Sequence, residues 1–153
     1  MASVTKPVLV LASASPRRAA LLAQAGIVPA AIVSPEIDES VRKAELPRLH
    51  AQRLSAEKAR AARARWTGGE AYILAADTVV ACGRRILPKA ESDAQVRECL
   101  ELLSGRRHQV MTAVSLSTPG GKLTTKVALT RVSFRRLTAA EIAAYVDSRE
   151  GQG

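Results

Sequence analysis

The chain begins with an apolar segment that runs directly into a helix-start pattern. Residues 8–12, VLVLA, are β-favouring or small, which is typical of a strand buried on both faces. The next residues read SASP, where serine is a suitable N-cap and proline suits the first helical position because its missing N–H would have no partner there. Gly26 is a suitable C-terminal stop. Residues 8–26 are therefore predicted to form a strand, a tight loop and a helix.

Strand and helix patterns alternate along the rest of the chain. They predict a helix from about Pro47 to Arg65, a strand over 72–80, a helix over 93–103, strands over 109–116 and 123–134, and a helix ending near Val146. Ser92 with Gln95 and Thr138 with Glu141 predict capping boxes at the starts of the last two helices. The chain has 153 residues, of which 47% are hydrophobic, and this length favours one domain with a sizeable core. We therefore expect residues 1–153 to form a single α/β domain.

The charge balance is strongly basic and favours anionic partners. Lys and Arg number 23 against 14 Asp and Glu, so the formal net charge is +9, and such a surplus attracts phosphorylated ligands and nucleic acid alike. Aromatic residues make up only 3% of the chain, so the stacking that single-stranded nucleic acid needs is poorly supplied. The basic residues around the long helix are interpreted as a solvated face: Arg42, Lys43, Arg48, Arg53, Lys58, Arg60, Arg63 and Arg65.

Several classes of protein have no support in the sequence. The two cysteines, Cys82 and Cys99, have no metal-ligand spacing, so neither a disulfide framework nor a structural zinc site is expected. The apolar run over 8–12 is far too short to span a membrane, and the N-terminus has no signal-peptide pattern. We expect no membrane partner and a cytoplasmic location.

The segment Ser13-Ala14-Ser15-Pro16-Arg17-Arg18 is the first candidate site. A helix N-terminus presents unpaired N–H groups and a partial positive charge, and both favour a bound phosphate. Arg17 and Arg18 oppose the helix dipole there, at a cost of about 0.3–1 kcal/mol each, which a bound polyphosphate would reverse. The alternative is an ordinary capped surface helix.

Asp77 is the second candidate, because it interrupts an apolar strand pattern. A carboxylate there needs a hydrogen-bond partner, a metal or a proton. Thr78 adds a polar group beside it, and Glu39, from the acidic segment 33–40, could join Asp77 in holding Mg²⁺. The alternative is an aspartate that accepts hydrogen bonds from a nearby turn.

Three further polar residues give weaker signals. Lys89 is predicted to close a short hairpin and could deliver a point charge to a phosphate, but a solvated surface lysine is the common case. His108, in the segment LSGRRHQVMT, is interpreted as structural rather than catalytic. His50 is interpreted as part of the surface of the long helix.

Taken in order, these segments resemble the Maf family of nucleoside triphosphate pyrophosphatases. The matching segments are SASPRR, EIDE, LSAEKA, AADTVV, LPKA and LSGRRHQVMTAV. The resemblance covers residues 8 to about 150. It implies an elongated mixed sheet with flanking helices and two lobes around a central cleft, related in architecture to the inosine triphosphatases.

The resemblance also implies roles for individual residues. Asp77 would be the catalytic acidic residue and, with Glu39, would hold the divalent cation, which is Mg²⁺, Mn²⁺ or Co²⁺. The substrate would be bound by Ser13, Ser15, Arg17, Arg18, Lys58, Thr78 and Lys89. The role of Lys58 rests on the resemblance alone. The implied partners are a nucleoside triphosphate and a second copy of the chain, and nucleic acid is not expected to bind.

The resemblance leaves the branch of the family and the end of the chain open. ADT over 76–78 and the pattern HxVxT over 108–112 are similar to the dTTP/UTP pyrophosphatases, and the alternative is the branch that acts on 7-methyl-GTP. The family's pattern continues beyond residue 153, so we expect Gln152 not to be its substrate-selecting glutamine. Two competing functions are an inactive regulator of septum formation and a basic nucleic-acid-binding protein.

Overall fold

The computed structural model describes residues 5–151, and Gln152 lies outside that range. Within it the chain forms six strands and four helices. In chain order they are β1 (Val8–Ala12), α1 (Pro16–Gln24), β2 (Ala31–Val33), α2 (Pro47–Arg65), β3 (Ala71–Cys82), β4 (Arg85–Leu87), α3 (Asp93–Leu103), β5 (Arg107–Ser117), β6 (Leu123–Ser133) and α4 (Ala139–Ser148). None of the helices over 5–151 is long and apolar enough to cross a membrane. The α/β class is confirmed.

All six strands belong to one mixed sheet. Five follow the order β2-β1-β3-β5-β6, and β4 pairs with β3 in antiparallel fashion, which forms the predicted hairpin. β1 is parallel to both β2 and β3. Its last residue, Ala12, lies opposite Ala75 of β3. This register places the residue after β1 close to the level of Asp77, two positions beyond Ala75.

The helix starts confirm two sequence patterns and correct a third. Ser92 and Gln95 form a capping box at α3, and Thr138 and Glu141 form one at α4. Ser15 does occupy the N-cap of α1, but its side chain makes no cap hydrogen bond. Instead its backbone N–H donates to the hydroxyl of Ser13 at 3.1 Å. The polar side chain at this helix start is therefore supplied by Ser13.

The chain divides into two compact units. The first contains residues 5–78 and 112–128. Its core is aliphatic, with alanines of α2 packed against β1 and β3: Val10, Ala12, Ala59, Ala62, Ala71, Ile73 and Ala75. Small side chains let the helix approach the sheet closely, and they explain how a chain with few aromatic residues builds this layer.

The second unit contains residues 79–111 and 129–151. Val96 of α3 packs with Ile142 and Val146 of α4. His108 of β5 is buried and makes an edge-to-face contact with Phe134, with ring centroids 4.9 Å apart. These contacts agree with the structural role predicted for His108.

The polar residues of α2 correct the prediction of a solvated face. His50 is only 5% exposed, because the segment before the helix covers it: His50 Nδ1 lies 2.7 Å from Glu45 Oε1. Arg53 and Lys58 are each 14% exposed in their side chains and form ion pairs. Arg63 donates to the carbonyl groups of Ala71, Ser117 and Thr118. A helical pattern alone could not distinguish these residues from exposed ones such as Arg60.

Candidate functional site

Parallel pairing of β1 and β3 brings the two strongest sequence signals together in the first unit. Ser13 comes directly after β1, and Asp77 lies near the end of the part of β3 that pairs with β1. Both residues are buried, with Ser13 4% and Asp77 7% exposed as whole residues. Buried polar groups at the carboxyl ends of parallel strands are the usual setting of ligand sites in α/β sheets.

Ser13 organises the start of α1 through its hydroxyl oxygen. That oxygen accepts the backbone N–H of Ser15 at 3.1 Å and Nη1 of Arg18 at 3.1 Å. A hydroxyl oxygen has two lone pairs and one proton to donate. Because the oxygen already accepts two hydrogen bonds, the hydroxyl of Ser13 can still donate one through its proton. A phosphate oxygen could accept that hydrogen bond.

Arg18 is held between β1 and β3. Its Nη1 donates to Ser13, and its Nη2 donates to Thr78 Oγ1 at 3.3 Å. Burial lowers the pKa of Arg18, and the nearby carboxylates of Asp77 and Glu39 oppose that shift. Since a guanidinium presents a fork of several N–H groups, these two contacts orient it and leave donors for a further oxyanion.

Lys58 forms ion pairs with both carboxylates that are predicted from the sequence to be metal ligands. Its ammonium nitrogen lies 3.0 Å from Asp77 Oδ1 and 2.7 Å from Glu39 Oε1. The side chain of Glu39 is 55% exposed, whereas that of Asp77 is 11% exposed. One cation thus brings a buried and an accessible carboxylate to within a few ångströms of each other.

This pair of carboxylates fits a divalent cation. Mg²⁺ in nucleotide enzymes uses one or two carboxylates and completes its shell with waters and phosphate oxygens, so a larger ligand cluster is not required. Residues 5–151 contain no group of three or more His, Cys, Asp or Glu side chains placed for a metal. The ammonium group of Lys58, bound to both carboxylates, shows that a positive charge is accommodated between them.

The structure does not bring every predicted residue into this group. Arg17 lies in the first turn of α1 and is close enough to Arg18 for its charge to lower the pKa of Arg18. Ser15 takes part through its backbone N–H. Lys89 belongs to the second unit, after β4, and its part in the site stays a prediction. The cleft between two lobes that the resemblance implies also stays a prediction.

Sequence reasoning missed two contributors to the site. Thr112 of β5 has its hydroxyl 3.0 Å from that of Thr78. Arg53 donates to the carbonyl of Ser40 at 2.9 Å and to both carboxylate oxygens of Glu45, and so ties the segment that carries Glu39 to α2. The signals for Thr112 were its place at the end of the HxVxT pattern and its alternation with buried residues of β5. Nothing in the sequence distinguished Arg53 from its basic neighbours.

The arrangement has the parts needed for chemistry on a phosphate ester or anhydride. The N-terminus of α1, the proton of Ser13 and the guanidinium of Arg18 can bind anionic oxygens. Asp77 presents a carboxylate oriented by Lys58, which can accept a proton or hold a cation. A binding group and a reactive carboxylate therefore lie in one unit of the fold.

Comparisons with known proteins agree with this interpretation. The family model described as Maf-like protein matches residues 8–153. A dTTP/UTP pyrophosphatase of Paramagnetospirillum magneticum is 54% identical over 95% of this chain and 76% of its own length. A nucleoside triphosphate pyrophosphatase of Ehrlichia canis is 48% identical over 95% of this chain and 74% of its own.

A solved structure shows a similar fold at low sequence identity. The HAM1 protein from Coxiella burnetii is 20% identical, with a TM-score of 0.56 over 84% of this chain and 73% of that one. This similarity supports the mixed α/β architecture.

Proposed function

The chain belongs to the Maf family, and we propose that it hydrolyses nucleoside triphosphates, chiefly dTTP and UTP, to the monophosphate and pyrophosphate. The observation that carries the proposal is the grouping of Ser13 and Arg18 with Asp77, Lys58 and Glu39 in one unit. A phosphate-binding helix start and a carboxylate pair are the two components that pyrophosphate release requires.

The triphosphate is bound at the start of α1. Its oxygens accept hydrogen bonds from the first N–H groups of the helix, from the hydroxyl of Ser13 and from the guanidinium groups of Arg17 and Arg18. Lys89 adds a further positive charge. Each charge-assisted hydrogen bond contributes about 1.5–3 kcal/mol, so removal of either arginine weakens binding substantially.

Asp77 is proposed as the catalytic base. Its carboxylate orients a water molecule and accepts a proton as the water oxygen bonds to the α-phosphorus. The bond from the α-phosphorus to the bridging oxygen breaks, and that oxygen leaves as part of pyrophosphate. Lys58 holds the carboxylate through Oδ1, which leaves Oδ2 as the oxygen proposed to contact the water.

Glu39 and Asp77 would hold the divalent cation, which is Mg²⁺, Mn²⁺ or Co²⁺. When bound, such an ion neutralises phosphate oxygens and acts as a Lewis acid toward them. Lys58 would contribute its own charge to the phosphates in addition to that of the ion.

The preference for dTTP and UTP rests on local sequence and on the relatives. By the resemblance to the family, Thr78 and Arg17 would take part in substrate choice, and Thr78 is exposed three positions beyond the last residue of β3 that pairs with β1. The relatives named dTTP/UTP pyrophosphatase include proteins 54% and 53% identical to this chain. The branch that acts on 7-methyl-GTP is the alternative.

The proposed setting is the cytoplasm, where the enzyme removes non-standard pyrimidine nucleotides from the nucleotide pool. A homodimer is proposed as its assembly. The competing function is an inactive regulator of septum formation. The two are distinguished by pyrophosphate release, which only the enzyme would catalyse.

The first experiment measures pyrophosphate release from dTTP, UTP, CTP, 7-methyl-GTP and ITP with Mg²⁺ or Mn²⁺. We expect release from dTTP and UTP, and Asp77→Asn should reduce kcat by more than about a hundredfold, because general base catalysis contributes that much or more. Without divalent metal, the Kd of a non-hydrolysable dTTP analogue should change by less than about fivefold, since the phosphate ligands remain.

Arg60→Met is the matched control, because Arg60 lies on the exposed face of α2, away from the ion pairs. It should leave both kcat and Kd unchanged. Release that persists in Asp77→Asn would disprove the role of Asp77. A folded chain that binds the analogue and releases no pyrophosphate would favour the inactive regulator.

A further inference from the structure

Two threonine hydroxyls form a hydrogen-bonded chain that ends at the guanidinium of Arg18. Thr78 Oγ1 accepts from Arg18 Nη2 at 3.3 Å, and Thr112 Oγ1 lies 3.0 Å from Thr78 Oγ1. Thr78 is on β3 and Thr112 on β5, which are neighbours in the sheet. Each alternates with buried residues of its strand, so both side chains lie on the strand faces opposite those residues.

We propose that Thr112 is a positioning residue for triphosphate binding: it fixes the hydroxyl of Thr78, and Thr78 fixes the guanidinium of Arg18. The inference rests on the proposed function, because it assigns Thr112 to the phosphate site of that reaction. Thr112 itself touches neither the phosphates nor the attacking water. Its effect passes entirely through Thr78 and Arg18.

The donor and acceptor chemistry explains why a second threonine matters. Arginine can only donate, so Thr78 must offer a lone pair to it. A threonine hydroxyl can rotate about its C–O bond, and a second partner selects the rotation that keeps the lone pair directed at Arg18. If the proton of Thr78 points at Thr112, the oxygen of Thr78 also becomes a better acceptor.

The position of Arg18 explains why its orientation affects binding. Ser13, directly after β1, holds one terminal nitrogen, and Thr78 of β3 holds the other, so contacts with two separate segments of the chain set the plane of the guanidinium. A long side chain that is already ordered loses less entropy when it binds a phosphate. Without Thr112, the contact with Thr78 loosens and the triphosphate must impose this order itself.

The test compares Thr112→Val, which keeps the shape and removes the hydroxyl, with Thr112→Ser, which keeps the hydroxyl. For Thr112→Val we expect the KM for dTTP and the Kd of a non-hydrolysable dTTP analogue to rise about fivefold, with kcat within about twofold. Thr112→Ser should restore both constants. Thr124→Val, the same substitution at an exposed position of β6, should change neither.

A double-mutant cycle separates positioning from general damage to the fold. In a Thr78→Val background, Thr112→Val should add no further loss of affinity, because the link to Arg18 is already cut. Additive losses would overturn the inference. Thermal unfolding establishes that each variant is folded, and Thr112→Ala replaces Thr112→Val if the valine variant is not.

The outcomes distinguish this inference from the proposed function. Equal Kd values for wild type and Thr112→Val would overturn the role of Thr112 whatever the turnover. A wild-type chain that binds the analogue without releasing pyrophosphate would overturn the proposed function, and the Kd values would still decide the role of Thr112. A wild-type chain that does not bind the analogue would overturn both.

Discussion

Lys58 pairs with the same two carboxylates that are proposed to hold the divalent cation. Its ammonium group compensates Asp77 and Glu39 at 3.0 and 2.7 Å, and the proposed reaction places a divalent cation beside the same carboxylates. Two positive charges a few ångströms apart repel each other even at the intermediate dielectric of a protein surface. Lys58 should therefore oppose binding of the metal alone and favour binding of the metal together with a triphosphate, whose negative charge satisfies both.

Lys58→Met tests this opposition directly. Without nucleotide, we expect the variant to bind Mn²⁺ about tenfold more tightly than wild type, because the competing charge is gone. The KM for dTTP should rise, because a phosphate ligand is lost. Isothermal titration with Mn²⁺ gives the first value and pyrophosphate release the second.

Arg60→Met, which removes a charge from the exposed face of the same helix, should leave the Mn²⁺ affinity within about twofold of wild type. Equal or weaker Mn²⁺ binding by Lys58→Met would show that the lysine does not compete with the ion.

The site residues differ in how far the sequence reveals them. Asp77 could be predicted because a carboxylate in a buried strand is unusual, and Ser13 and Arg18 because they flank a strand-to-helix turn. Local patterns could not identify Lys58 and Arg53, since a basic residue on a long helix is usually solvated, and Lys58 was assigned only through the resemblance to the family. Their burial depends on the segment around Glu39 and Glu45 folding over α2, which is a tertiary contact without a local pattern.

Among the elements, the segment between β2 and α2 is held by a small ionic cluster. Arg53 Nε donates to Glu45 Oε2 at 2.6 Å, and His50 Nδ1 lies 2.7 Å from Glu45 Oε1. The hydrogen bonds from Arg53 are the main cause that lowers the pKa of Glu45 from 4.5 to about 2, and His50 adds to the shift. Glu45 is thus the residue that anchors this segment to the helix.

This shift predicts how stability depends on pH. Because the folded-state pKa of Glu45 lies below its unfolded value, its stabilisation is complete above about pH 4.5 and is lost as the pH falls toward 2. Glu45→Gln should lower the free energy of unfolding at pH 7 by about 1 kcal/mol, the upper range for ion pairs that water can reach.

Urea unfolding of wild type and Glu45→Gln across this pH range gives the difference in stability. It should shrink steadily below about pH 4.5 and nearly vanish near pH 2. Glu101→Gln, on the exposed side of α3, should change stability by less than about 0.5 kcal/mol at every pH. A difference for Glu45→Gln that stays constant with pH would contradict the ionic role of Glu45.

The elements themselves were largely predictable where they are long or capped. The helix over Pro47–Arg65 and the capping boxes at Ser92 and Thr138 agree with the sequence patterns. The strand β2 was not predicted, because it has only three residues and its place is set by pairing with β1. For short edge strands the tertiary partner supplies the information that local periodicity lacks.

For the whole molecule, the count of 23 Lys and Arg residues overstates the number of cations that are free to bind an external polyanion. Several cations are already paired within the fold: Arg42 with Glu57, Arg53 with Glu45 and Glu57, Lys58 with Glu39 and Asp77, and Arg135 with Glu141. A cation that is already paired with a carboxylate neutralises phosphates less well, and so it releases fewer of the counterions condensed on a nucleic acid. Because the few aromatic residues offer little surface for base stacking, the composition supports a nucleotide site better than a surface for single-stranded nucleic acid.

Binding of a single-stranded oligonucleotide tests this whole-molecule interpretation. With a labelled strand of about 20 nucleotides at about 0.15 M salt, we expect fluorescence anisotropy to give a Kd weaker than about 10⁻⁴ M, the weak limit of non-specific binding. Excess oligonucleotide should leave pyrophosphate release from dTTP unchanged, because the stacking aromatics that capture single strands are scarce. A micromolar Kd that survives Asp77→Asn and falls steeply with added salt would instead identify a phosphate-backbone binder. Its basic surface would then act independently of the carboxylate site.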